Sequence, residues 1–515
     1  LGSASYLGLK CRDGDGQAVH SMNKSKKADM IAKSRMNLLE LSTHASAFSS
    51  PRTAPASARA ISVLPRWMRL AEESERAQEA QKVMKLAFGA LATALEAYDF
   101  AIFGLLAPQV GRAFFPGTSD SLEMMKAFGV FSAAFVMRPL GGVFFGIIGD
   151  RSGRRRAVHA SVLMMAAATV AVGLLPTYEQ IGSSAPLLLA LCRMAQGLSV
   201  GGQMAGTVLL VSEGMPPNRR CFYFSIVYFA GIVAQVTATF MIALMHEMLS
   251  ERSFDEWGWR LPFFSGVVAL FAGVGTHDEK TLPYEAEVAE QEVGVGQDVK
   301  SLGLTKPLTF ICAYRWPIVR IIFNLSSLAC VQYNVNTWMP SYLDKLRRPT
   351  MKGAYLYISI VAACAAPTLL FFGYLADRLG PLKFLVVGLV LVGTLTMPMF
   401  MAAEHAEPLW AMLWILAVMV SVNMYACTLG SWLPALVESG VRYRVTGIAF
   451  NASYCLFGGS MPFMSTALVH YFGTMLAPGI CQLLVILVSL VFAVHLCWTH
   501  NQVLQGQYEP VSVHA

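Results

Sequence analysis

The chain is dominated by apolar runs long enough to cross a lipid bilayer, and this feature leaves few folds open to it. A hydrocarbon core of about 30 Å needs roughly 20 residues of helix. In lipid, only helices and closed barrels satisfy every backbone polar group, and the runs lack the alternation of barrel strands. Only 14% of the residues are charged, 55% are hydrophobic and the mean hydropathy is +0.51. The sequence therefore predicts an all-α integral membrane protein.

Twelve membrane spans can be drawn, and we number them in chain order. Their number is even, so both ends of the chain are predicted to lie on one side of the membrane. The approximate bounds are residues 86–106, 124–148, 157–177, 186–211, 222–248, 257–275, 316–341, 353–377, 382–403, 408–434, 446–472 and 476–498.

A long polar stretch, residues 276–315, divides the spans into two groups of six. Its seven acidic residues, from Asp278 to Asp298, indicate a solvated linker and not a lipid-binding basic segment. The polar start of the chain is typical of disorder, with a targeting presequence as the alternative. We expect a largely disordered cytoplasmic tail at 1–85, a six-helix half at 86–275, a cytoplasmic linker at 276–315, a second six-helix half at 316–498 and a C-terminal tail at 499–515.

The distribution of basic residues predicts the orientation. Short loops after spans two, four, eight and ten carry Lys or Arg, whereas those after spans three, nine and eleven carry none. Cytoplasmic loops are enriched in these residues, so both termini are predicted to be cytoplasmic. The loop after span seven, with Lys345 and Arg347, counts against this orientation.

A short pattern occurs twice, once in each group of spans. Residues 146–153 read GIIGDRSG at the end of span two, and residues 373–380 read GYLADRLG at the end of span eight. The shared glycines, aspartate and arginine at matched spacing indicate a duplicated six-helix unit. In many secondary transporters, two such units rock around a central binding site.

Several separated stretches together resemble the major facilitator superfamily, and within it the metabolite:proton symporters that include proline/betaine, dicarboxylate and shikimate carriers. The stretches are LEAYDF (95–100), RPLGG (138–142), GDRSGRRR (149–156), RMAQGLSVGGQMAG (193–206), WGWRLPFF (257–264) and GIAFNASYCLFGGSMPF (447–463). The resemblance implies a secondary active transporter that works by alternating access. It also implies proton-coupled symport of a small organic acid or zwitterion.

In this family the duplicated loop is a conformational gate. Glycines let two helices approach closely and permit a tight turn, and the aspartate can cap a helix or pair with an arginine. The alternative is a merely positive-inside loop, which accounts for the arginines but not for the duplicated aspartate and glycines. The candidate gate residues are Gly146, Gly149, Asp150, Arg151, Gly153, Arg154, Glu213, Gly373, Asp377, Arg378 and Gly380.

Charged residues inside the first half are candidates for proton coupling, because burying a charge in a membrane is costly. Glu96 and Asp99 are three residues apart and share one face of span one. Arg193 in span four is the cation expected beside them, with a static ion pair as the alternative role. Arg138 in span two could face the cavity or reach the membrane interface. Gln196, Tyr98 and Gln203 complete this set of candidates.

Gln203 departs from the family pattern, in which a glutamate usually occupies this position of span four. An amide keeps the hydrogen bonds but carries neither a proton nor a charge. We expect either that the carboxylates of span one suffice for coupling, or that the stoichiometry or substrate charge differs. Loss of an acid leaves the cavity more positive, which favours anionic solutes.

The second half offers amides and phenols in place of buried charges. Such groups can orient a polar solute, and hydrogen bonding between helices is the alternative. The candidates for substrate orientation are Gln332, Asn336, Asn423, Asn451 and Tyr454.

The partners expected from the sequence are a small polar organic solute, protons and the lipid bilayer, with the protein acting as a monomer, in the plasma membrane. Neither a cofactor, a metal site, nor nucleic-acid binding is predicted. Catalytic motifs such as HExxH or GxSxG do not occur at any span end, so an enzyme is not expected. The alternatives to a symporter are a non-transporting nutrient sensor on the same fold and a facilitative uniporter.

Overall fold

The computed structural model describes residues 66–117, 119–152, 154–201, 207–208, 211, 215–265, 307–347, 349–351, 353–437 and 441–504. The chain divides into two units, Leu1–Met84 and Lys85–Ala515. In the first unit, the described residues 66–84 are helical. The second unit contains the spans.

The first half begins with a bent span. The helix Arg66–Leu105 is followed by Ala107–Phe114, and the segment Gly89–Leu105 meets this second helix at an angle of 58°. Pro108 stands in the first turn of the second helix, where its missing N–H costs least. The helices of spans two to five are Asp120–Ser152, Arg154–Leu174, Ser184–Val200 and Arg220–Met248, and a 3₁₀ segment, Gly258–Ser265, begins span six.

In the second half, spans seven and eleven are interrupted by π-helical segments. Span seven runs as Arg315–Tyr333 and then a π-helix, Asn334–Trp338. Span eleven runs as Arg442–Ser453, a π-helix Tyr454–Gly459, and Met461–Phe472. The helices of the remaining spans are Ala354–Leu379, Pro381–His405, Pro408–Ala426 with Leu429–Ala435, and Leu476–Leu504.

Length and hydropathy alone identify fewer spans than the twelve drawn from the sequence. Within the described residues, six helices are long and apolar enough to cross a membrane, and the bent pair of span one makes a seventh. The helices Ala160–Leu174 and Ser184–Val200 are apolar but shorter. In span eleven a π-helix divides the apolar run, and most of span six lies outside the described residues.

Spans two and four pack with their backbones in close contact, because glycines face the partner helix. A Cβ on Gly197 would lie 1.8 Å from the backbone oxygen of Ala134, and one on Gly141 would lie 1.9 Å from that of Leu198. Small residues at helix interfaces are the usual means of tight packing in membranes. This contact fixes Arg138 of span two and Arg193 of span four relative to each other.

Candidate functional site: a buried charged layer beside a central cavity

Two ion pairs lie inside the first half. The Arg138 Nη1 atom is 3.0 Å from Glu96 Oε1, and the Arg193 Nη1 atom is 3.3 Å from Asp99 Oδ2. All four side chains are buried. The two carboxylates of span one therefore have separate arginines, one from span two and one from span four. Arg138 is directed into the bundle and not toward the interface.

Asp99 belongs to a closed network of hydrogen bonds. Gln196 Nε2 donates to Asp99 Oδ1 at 2.7 Å, and the Thr169 hydroxyl donates to the same oxygen. Arg193 donates to Gln196 Oε1 at 2.6 Å as well as to Asp99. These donors stabilise the negative charge of Asp99.

Aromatic rings cover both guanidinium groups. The Cζ atom of Arg138 lies 4.4 Å from the centroid of the Phe100 ring and 4.3 Å from that of Phe135. The Cζ atom of Arg193 lies 4.3 Å from the Phe103 ring centroid. Cation–π contacts partly offset the cost of removing these charges from water.

The two carboxylates differ in their exposure to the cavity. Glu96 lines a cavity, whereas Asp99 and Arg193 do not contribute to its lining. Glu96 Oε2 has no hydrogen-bond partner among the residues that the structure describes. Glu96 is thus the carboxylate placed to meet a solute or a proton from the cavity.

The cavity beside Glu96 is bordered by a carboxylate and aromatic rings. About 470 Å³ of space, which includes open solvent, lies in this cavity between spans one, five, seven and eleven. We call it the Glu96 chamber. Its lining residues are Thr93, Glu96, Ala97, Phe100, Ala101, Gln235, Gln332, Tyr333, Thr337, Phe450 and Tyr454.

A second cavity of about 520 Å³ adjoins it between spans five, seven, eight and ten. Gln235 and Gln332 line both cavities, so their amides lie where the two meet. Among the residues that the structure describes, no charged side chain lines the second cavity, whose walls are mostly aliphatic. We call it the aliphatic chamber.

The cavity amides have unused hydrogen-bonding groups. Tyr228 donates its hydroxyl to Gln332 Oε1 at 2.7 Å, which leaves the NH₂ group of Gln332 as a donor. The side-chain amides of Gln235 and Asn336 bond to none of the described residues. Such groups can orient a polar solute.

Of the residues predicted to orient the substrate, Gln332, Asn336, Asn423 and Tyr454 line the chambers. Asn336 and Tyr454 also lie in π-helical segments, a local structure frequent at functional sites. Asn451 is placed differently: its amide donates to the Gly201 carbonyl oxygen at 2.6 Å and so joins span eleven to span four.

Two further candidates from the first half lie apart from the ion pairs. The Tyr98 hydroxyl donates to Met241 Sδ at 3.6 Å, and Tyr98 lines neither chamber. Gln203 lies outside the described residues, as does the candidate gate residue Glu213.

In the second copy of the duplicated loop, Asp377 contacts the other half. Its Oδ1 accepts a hydrogen bond from the Cys221 N–H at 3.0 Å, and its Oδ2 accepts one from the Phe222 N–H at 2.9 Å. Asp377 thereby caps the N-terminus of span five. Gly373 allows the close approach, because a Cβ there would lie 2.2 Å from Ser225 Oγ.

Arg378 covers the ring of Tyr374 at 4.3 Å, and Gly380 has a φ of 105°, which suits glycine at the turn. In the first copy, Gly146, Gly149, Asp150 and Arg151 are helical, and Arg154 begins the next helix. The side chains of this copy and the whole of Gly153 lie outside the described residues.

The halves also touch at the opposite end of the bundle. The Tyr355 hydroxyl of span eight donates to the Leu105 carbonyl oxygen at the bend of span one, at 3.1 Å. A Cβ on Gly104 would lie 2.1 Å from Thr337 Cγ2, so spans one and seven are in close contact there. The halves therefore meet on both sides of the chambers.

Sequence reasoning missed several residues of the site. Thr169 gave no signal, because a threonine in a helix commonly bonds to its own backbone. Gln235 could have been found, since an amide in the middle of an apolar span is costly. Tyr228 reads as an ordinary aromatic residue of a span.

Known transporters resemble this chain over 81% of its length. The Major Facilitator Superfamily model matches residues 89–462. A glycine betaine/proline/ectoine/pipecolic acid transporter of Dickeya dadantii is 32% identical over 425 residues, covering 81% of this chain and 83% of that protein. A proline/betaine transporter of Escherichia coli (strain K12) is 31% identical over 423 residues, with the same coverage.

Solved structures share the fold at low sequence identity. A D-xylose-proton symporter matches with a TM-score of 0.62 at 17% identity, covering 80% of this chain and 97% of the other. A partially occluded, inward-open form of a xylose transporter from E. coli matches with a TM-score of 0.63 at 15% identity, covering 81% and 97%.

Proposed function

Because the chain belongs to the Major Facilitator Superfamily, whose fold of twelve helices in two six-helix repeats it shares, we propose that this secondary transporter carries a small zwitterion together with protons. The predicted fold, the family resemblance and the transporter class are confirmed by these comparisons. The solute class we propose is that of proline and betaines, the compounds after which the relatives are named.

The observation that carries this proposal is the combination of a carboxylate with aromatic rings in the Glu96 chamber. Phe100, Tyr333, Phe450 and Tyr454 all line it together with Glu96. Aromatic faces attract quaternary and protonated ammonium groups. A dicarboxylate would place a second negative charge beside Glu96 and gain nothing from the rings, so a zwitterion suits this chamber better.

Proton coupling is proposed to act through the Glu96–Arg138 pair. While Glu96 is ionised, it occupies Arg138 and would repel the carboxylate of an entering solute. A proton on Glu96 releases Arg138, whose guanidinium can then attract that carboxylate while the rings hold the ammonium group. Proton and solute then bind together, as symport requires. Asp99 is the second candidate for the proton site.

Alternating access is proposed to use the contacts between the halves. Asp377 on span five and the Asn451–Gly201 bond would close one end, and the Tyr355–Leu105 contact would close the other. Opening one set while the other holds would expose the chambers to one side at a time. In this scheme the duplicated loops are the gate.

We propose that both termini are cytoplasmic, that the protein resides in the plasma membrane and that it works as a monomer. The excess of Lys and Arg in the loops after spans two, four, eight and ten supports the orientation. Under this orientation, the end closed by Asp377 is the cytoplasmic one.

Uptake of radiolabelled glycine betaine and proline by proteoliposomes tests the function. An inward proton gradient should drive accumulation, and unlabelled proline should compete with glycine betaine more strongly than succinate does. Uptake that reaches equilibrium but ignores the gradient would identify a uniporter. Binding without transport or counterflow would identify a sensor, and preferential competition by succinate would overturn the zwitterion proposal.

A further inference from the structure

The aliphatic chamber is not needed to hold a solute as small as glycine betaine. The Glu96 chamber already contains a carboxylate, aromatic rings and the two shared amides. The second cavity, whose space of about 520 Å³ includes open solvent, adjoins it at those amides. The aliphatic chamber is therefore available to a further part of a larger solute.

The walls of the aliphatic chamber suit an apolar group. Ile232 and Val236 come from span five, Val335 from span seven, and Val418 and Val422 from span ten. Both Val335, which is 1% exposed, and Val418, which is 0% exposed, are buried in the protein. Since no charged group lines the chamber, an ionic group would lose its hydration there without a counter-charge. An apolar substituent would instead be transferred from water to aliphatic surface.

The two shared amides, Gln235 and Gln332, lie where the chambers meet. Gln332 is held by Tyr228 through its Oε1 atom, and its NH₂ group remains available at the junction of the chambers. Gln235 lies at the same junction. A zwitterion bound in the Glu96 chamber with its carboxylate toward Arg138 and its ammonium group against the rings could extend an N-alkyl substituent past these amides into the aliphatic chamber.

We propose that the aliphatic chamber is a subsite for an apolar substituent of the solute, so that the transporter accepts zwitterions bearing an alkyl group of several carbons. This subsite rests on the proposed zwitterion function and specifies its substrate range. It selects by size and apolarity, whereas the Glu96 chamber selects by charge.

A homologous series tests the subsite. N-alkyl-N,N-dimethylglycines with methyl, ethyl, propyl and butyl groups share one zwitterionic head, and the methyl member is glycine betaine. Their competition with labelled glycine betaine measures relative affinity. Burial of a methylene in an apolar site is worth about 0.8 kcal/mol, so affinity should rise about two- to fourfold per carbon. Affinity that falls from the first added carbon overturns the subsite.

A chamber-filling variant locates the effect. Val418→Phe places a ring in the aliphatic chamber, and the ratio of butyl to methyl affinity should fall by about tenfold. Val387→Phe is the matched control, because Val387 is 47% exposed on the outer surface of span nine and lines neither chamber. The control should keep the wild-type ratio. A ratio that Val418→Phe leaves unchanged contradicts the proposal.

The two proposals fail separately. Absence of glycine betaine uptake in the wild-type protein defeats the proposed function. The alkyl series is also measured by thermal stabilisation of the purified protein, which requires binding only. Stabilisation that does not grow with chain length overturns the subsite even where glycine betaine is transported.

Discussion

The carboxylates of Glu96 and Asp99 have different surroundings. Asp99 receives hydrogen bonds from Thr169, Gln196 and Arg193, whereas Glu96 bonds to Arg138 and faces the chamber. Glu96→Gln imitates a permanently protonated side chain. We expect this variant to exchange labelled for unlabelled glycine betaine in proteoliposomes. Its gradient-driven accumulation of glycine betaine should be lower by a factor of at least about ten. Accumulation at the wild-type level would exclude Glu96 as the proton site.

Asp99→Asn serves a different purpose, because it leaves Arg193 buried without a counter-charge. Breaking one side of a buried ion pair costs about 3–5 kcal/mol, so we expect a clear fall in the thermal unfolding temperature of the purified protein. The double variant Asp99→Asn with Arg193→Met should recover part of this loss. If the single variant is as stable as the wild type, the pair does not hold spans one and four together.

The aromatic wall of the Glu96 chamber makes a second prediction at this scale. Tyr454 stacks on Phe450 with ring centroids 4.5 Å apart, and both line the chamber. Tyr454→Leu removes a ring worth about 1 kcal/mol to a bound ammonium group, so glycine betaine affinity should fall about fivefold in competition assays. Tyr454→Phe keeps the ring and should fall less. Equal losses in both variants would point to the hydroxyl instead of the ring.

Helix packing makes a prediction at the scale of the element. Gly197→Ala would place a Cβ 1.8 Å from a backbone oxygen of span two, so the helices must separate. Overpacking of this kind costs about 1–3 kcal/mol, and we expect a lower unfolding temperature. Gly447→Ala is the control, since nothing lies within 4 Å of a Cβ at this helical position. A stable Gly197→Ala protein would contradict the close contact.

Part of the site could be predicted from the sequence, and part depends on how the helices pack. Glu96, Asp99, Arg138 and Arg193 were predictable because a charge in an apolar span is rare. Which arginine meets which carboxylate was not, because the pairing depends on how spans two and four are rotated and how closely glycines let them approach. The π-helical segments that present Asn336 and Tyr454 leave no clear pattern in the sequence.

At the scale of the whole transporter, contacts between the halves control access to the chambers. Cys221 is buried beside Asp377, which caps span five. In a chain with Cys221 as its only cysteine, Asp377→Ala should raise the rate of maleimide labelling about fivefold, because losing a cap costs about 1 kcal/mol. The exposed Glu256→Ala serves as the control. Unchanged labelling in the Asp377 variant would show that this contact does not hold the end closed.

We propose that a zwitterion and a proton cross the membrane together by way of Glu96. Proteoliposomes loaded with a pH-sensitive dye test it most directly, since glycine betaine added outside should acidify the lumen without any imposed gradient. We predict acidification with the wild-type protein and none with Glu96→Gln, which still exchanges the solute. Glycine betaine entry by the wild-type protein without acidification, or acidification that persists in Glu96→Gln, would contradict this account.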